Sequence, residues 1–83
     1  MVTDRKEWDY SKLKGRIKEK YDTQQKFVEA LGILSDTSIT YKLSNQTEFK
    51  QSEIYKIMKI LEIDDSEIKA YFFIPKVEKS QPI

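Results

Sequence analysis

No proline occurs in the first 74 residues of this 83-residue chain, because its two prolines stand at Pro75 and Pro82. A proline inside a helix removes a backbone hydrogen bond and clashes with the preceding turn, so everything before Pro75 is free to be helical. Periodicity turns that permission into a reading. Tyr10, Leu13, Ile17 and Tyr21 are spaced three, four and four apart, and Phe27 and Leu31 are four apart, as are Ile39 and Leu43. Ile54, Ile57, Met58 and Leu61 follow the i, i+3, i+4, i+7 rule of an amphipathic helix. Apolar residues flanking a cap mark the starts: Trp8 and Leu13 around Asp9, Leu34 and Ile39 around Ser35, Phe49 and Ile54 around Lys50, Ile63 and Ile68 around Asp64. Thr23 caps the remaining helix, and Glu67 completes a capping box with Asp64.

These signals predict helices over about 9 to 21, 23 to 31, 35 to 44, 50 to 61 and 64 to 72. The fold class is therefore all-α, five helices in one domain, with a core over about 9 to 74 and flexible tails over 1 to 7 and 78 to 83. Phe72 to Val77 leaves room for a short strand or extended arm, since Pro75 stops any helix. Gly15 in mid-helix costs about 1 kcal/mol, and close helix packing is the expected reason for it.

A hydrophobic content of 39% with ten aromatic residues supports a small core, so the 35% of charged residues describes a wet surface and not disorder. Cysteine and histidine are both absent, which excludes disulfides, thiol chemistry and the usual zinc sites. No nucleophile has a base beside it and no glycine loop could cradle phosphate, so no enzyme activity, metal site or cofactor is expected. No run approaches the roughly 20 apolar residues of a membrane span, and Met1 to Asp9 lacks a signal-peptide pattern, so a cytoplasmic location is expected. Net charge is +1, with eight basic and six acidic residues in the first 30 and a near balance beyond. Any attraction to phosphate is weak and lies toward the N-terminal half.

The segment Thr23-Gln24-Gln25-Lys26-Phe27-Val28-Glu29-Ala30-Leu31-Gly32-Ile33-Leu34-Ser35 is a helix that ends at a glycine and reaches the next cap within three residues. Gly32 can take a positive φ at the helix end, Ile33 covers the corner, and two helices joined so tightly cross at a large angle. With Gln24 opening the helix, Phe27 three later, and Gly32 followed by β-branched Ile33, the segment resembles the Cro/repressor-type (Xre-like) helix-turn-helix family. The stretches Tyr10-Ser11-Lys12-Leu13-Lys14-Gly15-Arg16-Ile17-Lys18-Glu19 and Gln51-Ser52-Glu53-Ile54 also look like the short Cro-like phage regulators, so the resemblance covers roughly 9 to 73. It implies a third helix that enters the DNA major groove and a second helix whose start meets phosphate. Val28 stands where the family usually has Ala, the turn is one residue longer, and Lys50 replaces a capping residue.

At 100° per residue, with Ile39 and Leu43 toward the core, Thr37, Ser44, Tyr41 and Ser38 lie at about 160°, 140°, 200° and 260° and face outward. Thr37, Ser38 and Tyr41 are the candidate base contacts; Gln24, Lys42, Asn45 and Lys50 are the candidate phosphate contacts. The longer turn makes the phase sensitive, since one position of rotation brings Thr40 or Lys42 into the groove instead. Asp36 favours the helix dipole but repels phosphate. The resemblance thus implies a sequence-specific regulator that binds double-stranded DNA as a homodimer. The alternative is a protein-interaction module of the same fold, anti-repressor-like or antitoxin-like, that does not bind DNA; near-neutral charge and Asp36 favour it.

Overall fold

The computed structural model describes residues 7–76. In chain order these form α1 (Ser11–Tyr21), α2 (Gln24–Leu31), α3 (Asp36–Leu43), α4 (Gln51–Leu61), a 3-10 turn (Asp65–Glu67) and α5 (Ile68–Phe72). The sequence expectation of five helices holds, and its apolar stripes all converge. Leu13 and Ile17 of α1, Phe27 and Leu31 of α2, Ile39 and Leu43 of α3, and Ile54, Ile57, Met58 and Leu61 of α4 share one core with Tyr71 and Phe72.

Helix starts follow local chemistry, with three departures from the sequence reading. The Thr23 hydroxyl accepts from the Lys26 N–H at 3.2 Å and the Ser35 hydroxyl from the Ser38 N–H at 3.1 Å, both as expected. Asp9, however, does not cap α1. Its own N–H donates to the Ile74 carbonyl at 2.7 Å, and its carboxylate takes the N–H and hydroxyl of Ser11, the first residue of α1, instead of an N–H one turn into the helix. The Asp64 to Glu67 capping box does not form either. Asp64 accepts from the Ser66 N–H at 3.0 Å, so the opening turn tightens to 3-10 and α-helix starts only at Ile68. At Lys50 the missing hydroxyl is offset from inside α4, where the Glu53 carboxylate accepts from the Lys50 N–H at 2.8 Å.

Side chains of α1 reach across to the end of α4. Arg16 donates to the Leu61 carbonyl at 3.0 Å, the Tyr21 hydroxyl donates to the Ile60 carbonyl at 3.2 Å, and Lys20 pairs with Glu62 at 2.9 Å. Arg16 and Tyr21 thereby satisfy two orphan carbonyls at the C-terminus of α4, where negative dipole charge also favours the Lys20 cation.

The run after α5 is divided between two roles. Phe72 is buried in the core, whereas Phe73 and Ile74 are exposed. Pro75 forms an isolated antiparallel bridge with Trp8, flanked by the Asp9-to-Ile74 bond and by Lys76 N–H donating to the Glu7 carbonyl at 3.0 Å. The expected arm is therefore a minimal strand pairing that fastens the two ends of the domain together. Glu7, which the sequence assigns to a tail, is held by it, while Val77 and the tails over 1 to 6 and 78 to 83 lie outside the described residues.

Gly15 is exposed, and a Cβ there would meet no atom within 4 Å, so close packing does not explain it. Gly15→Ala should therefore stabilise the domain by about 1 kcal/mol, because a helical glycine keeps more freedom in the unfolded chain. A thermal midpoint that rises by roughly 4 to 8 °C would fit that value, whereas a fall would reveal a packing role.

Hydrogen bonds from Ser11 hold the Asp9 carboxyl below its ordinary pKa, Lys20 does the same for Glu62, and Ser66 for Asp64. In each case the folded state favours the ionised form. Their contribution is present above the ordinary carboxylate range and is lost as pH falls through the lowered values. Thermal melts from neutral pH to about pH 3 should show a falling midpoint below about pH 4.5, and Glu62→Gln should flatten that fall.

Candidate functional site

The α2–turn–α3 unit carries every candidate site residue except Asn45 and Lys50, which lie in the loop between α3 and α4. Gly32 sits at φ 74°, ψ 0°, and its N–H donates to the Val28 carbonyl at 3.0 Å, which ends α2 in the left-handed conformation a side chain resists. Ser35 then caps α3 within the short connection, while Leu34 leans on the core and Ile33 stays exposed at the corner.

Gln24 ties the two helices. Its side-chain amide donates to the Asp36 carboxylate at 2.9 Å and to the Thr40 hydroxyl at 3.0 Å. Asp36 is thus partnered by Gln24, and Thr40 is drawn toward α2. On the outward side of α3, Thr37 is exposed and Tyr41 is 46% exposed. Ser38 is half-buried and its hydroxyl accepts from that of Ser35 at 3.1 Å.

The candidate phosphate anchors have other partners. Lys42 is only 8% exposed; its ammonium lies 3.4 Å from the Glu53 carboxylate and donates to the Glu48 carbonyl at 2.9 Å. Asn45, at φ 68°, engages Trp8 with both ends of its carboxamide, accepting from the Trp8 N–H and donating to the Trp8 carbonyl, both at 2.9 Å. Lys50 is exposed and makes no ion pair among the described residues. From Asp36 to Tyr41 the face therefore presents hydroxyls and a phenol around one carboxylate, and the cation of α3 is turned inward.

Sequence reasoning missed Glu53, which is 7% exposed and joins α3 to α4. Its signal was present: a glutamate three residues after a helix start is the reach-back half of a capping box. Asn45 gave a weaker one, since asparagine tolerates the left-handed region in which it acts here.

A family model described as a protein of unknown function, DUF739, matches residues 6–74. The chain belongs to the DUF739 family. Among solved structures it is similar to the modulator of repression (MOR) of the temperate bacteriophage TP901-1 from Lactococcus lactis, determined in solution. That match has 41% sequence identity and a TM-score of 0.71, and covers 86% of this chain and 95% of that one. No curated protein matches. This DUF739 chain is therefore an all-helical relative of a phage regulatory protein. Among its described residues no helix is long and apolar enough to cross a membrane.

Removing one partner of a buried pair leaves an uncompensated charge, so Lys42→Met should cost about 3 kcal/mol in urea unfolding. The double change Lys42→Met with Glu53→Leu should recover most of it, because apolar groups of similar volume replace an ion pair with little loss. A single variant as stable as the parent would mean that the pair is solvated.

Proposed function

We propose that this protein is a phage regulator that docks α3 and its flanking turn onto another protein, a repressor, and does not anchor alone on DNA. The observation that carries this reading is the engagement of Gln24, Lys42 and Asn45 in internal contacts, which leaves α3 without a free cation. DNA binding draws much of its affinity from lysines and arginines that displace counterions from phosphate, and this face has little to offer. The 41% identity to a protein named as a modulator of repression supports the same reading, since such a protein acts on repression.

On this reading the α2–turn–α3 unit is a Cro-like helix-turn-helix kept as a scaffold, and Thr37, Ser38 and Tyr41 are its protein contacts. Tyrosine suits that role, because it offers a large rigid apolar body with a polar tip. A second reading, sequence-specific DNA binding, is favoured by the left-handed Gly32 turn and by Thr37 and Tyr41 facing outward, with Lys50 as the remaining phosphate contact. That reading calls for a homodimer across two half-sites, whereas docking onto a protein needs one copy.

The test compares the purified protein with duplex DNA selected from random sequence and with the repressor of the same phage. A complex with repressor, and no saturable binding to duplex alone at physiological salt, is the expected outcome. Tyr41→Ala should weaken the repressor complex by about tenfold or more while circular dichroism stays unchanged. Specific duplex binding by the protein alone, with log affinity falling against log salt by about 0.9 per phosphate contacted, would establish the DNA reading instead.

A further inference from the structure

Trp8, Tyr10, Phe49, Phe72 and Phe73 wall a cavity of about 180 Å³, which Glu48 and Ile54 also line. The rings meet nearly edge to face: Trp8 with Phe73 at 5.5 Å and 89°, Tyr10 with Phe49 at 5.5 Å and 84°, Phe49 with Phe72 at 5.5 Å and 87°. Rings set at right angles make a corner instead of a closed stack, and each ring carries a negative face on its quadrupole. Tyr10 and Phe72 are buried and form the floor, while Phe73, 40% exposed, stands at the rim.

Glu48 adds a formal charge. Its side chain is exposed and makes no hydrogen bond or ion pair among the described residues. Burial, and then the Glu48 carboxylate, raise the pKa of the Tyr10 hydroxyl, so the field of that carboxylate reaches the floor. The ammonium of Lys42 lies 6.0 Å from the Phe49 ring, but Glu53 already matches its charge. Aromatic faces plus an unpaired carboxylate make a receptor for a cation with an apolar stem.

We propose that this cavity receives an arginine side chain from a protein partner, with the guanidinium against the rings and forked onto Glu48. Arginine fits better than lysine, because its planar, weakly hydrated group stacks on aromatic faces and bonds a carboxylate through two donors. The size is sufficient: a protein cavity of about 150 Å³ admits benzene. The site is built from the α3–α4 loop, α4, the segment before α1 and the end of α5, and it stands whether α3 meets protein or DNA.

Trp8 is the only tryptophan, so its fluorescence reports on the site directly. Titration with N-acetyl-arginine amide at constant ionic strength should give a saturable change with a dissociation constant on the order of 10 mM. The neutral isostere N-acetyl-citrulline amide should bind at least about fivefold more weakly, and Glu48→Gln should weaken the arginine amide by about the same factor. Phe73→Leu should also weaken it, and both variants alter exposed side chains, so folding is kept and verified by circular dichroism. Equal binding of the two amides, or no saturation for arginine, would overturn the proposal. An Arg5→Gln, Lys6→Gln variant that binds the amide much more tightly would assign the site to the chain's own cations and overturn the partner.

Discussion

The contact between Lys42 and Glu53 organises the half of the molecule that carries α3 and the aromatic cavity. Lys42 comes from α3 and Glu53 from α4, and the same carboxylate oxygen that meets the ammonium at 3.4 Å accepts the Lys50 N–H at 2.8 Å. Lys42 also holds the Glu48 carbonyl at 2.9 Å. One buried charge pair therefore fixes both ends of the 48–50 stretch and sets the start of α4. Phe49, carried between them, is delivered edge to face onto Tyr10 and Phe72. A buried pair of this kind adds little net stability over apolar residues, since desolvation offsets the Coulomb gain. Its effect is to specify one arrangement, because any other would strand a charge out of water.

The same economy of cations explains the character of the surface. Arg16 and Lys20 face the end of α4, Lys42 faces Glu53, and Lys12 lies 4.9 Å over the Tyr71 ring. A net charge of +1 spread in this way leaves no strong positive field in front of α3. What α3 does present is Thr37 and Tyr41 beside Asp36, a carboxylate already steadied by Gln24. Such a surface is chemically suited to a polar protein face, where Tyr is a strong contact residue and long-range attraction to phosphate is unnecessary.

Much of this architecture is legible in the sequence, and the parts that are not have a common cause. The stripes of Leu13 and Ile17, of Ile39 and Leu43, and of Ile54 to Leu61 obey a local rule, and so do the Thr23 and Ser35 caps and the Gly32 turn. Errors arise where a long-range partner competes with a local one. Asp9 would cap α1 if its N–H were not drawn to Ile74, 65 residues away in the chain. Lys42 lies at about 300° on the helical wheel used for α3, between core and groove, and only the position of Glu53 decides that it turns inward. Asn45 has the chemistry of a phosphate contact, yet the Trp8 backbone, 37 residues earlier, takes both halves of its amide.

That last contact bears on why the two surfaces belong together. The pairing of residues 7–9 with 74–76 leaves the Trp8 N–H and carbonyl pointing to the other side of its segment, where an unpaired strand edge would invite another chain. Asn45 closes that edge from the end of α3, and Pro75, lacking an N–H, offers no donor on the opposite edge. The backbone of the terminal pair is thereby largely satisfied, so a partner arriving there would meet side chains: the exposed Phe73 and the aromatic corner behind it. Because Asn45 lies two residues past the end of α3 and holds the Trp8 wall of that corner, the orientation of α3 and the shape of the cavity are tied through one short loop. A partner long enough to span that loop would meet both surfaces in a fixed relative geometry, which gives specificity without requiring much charge on either.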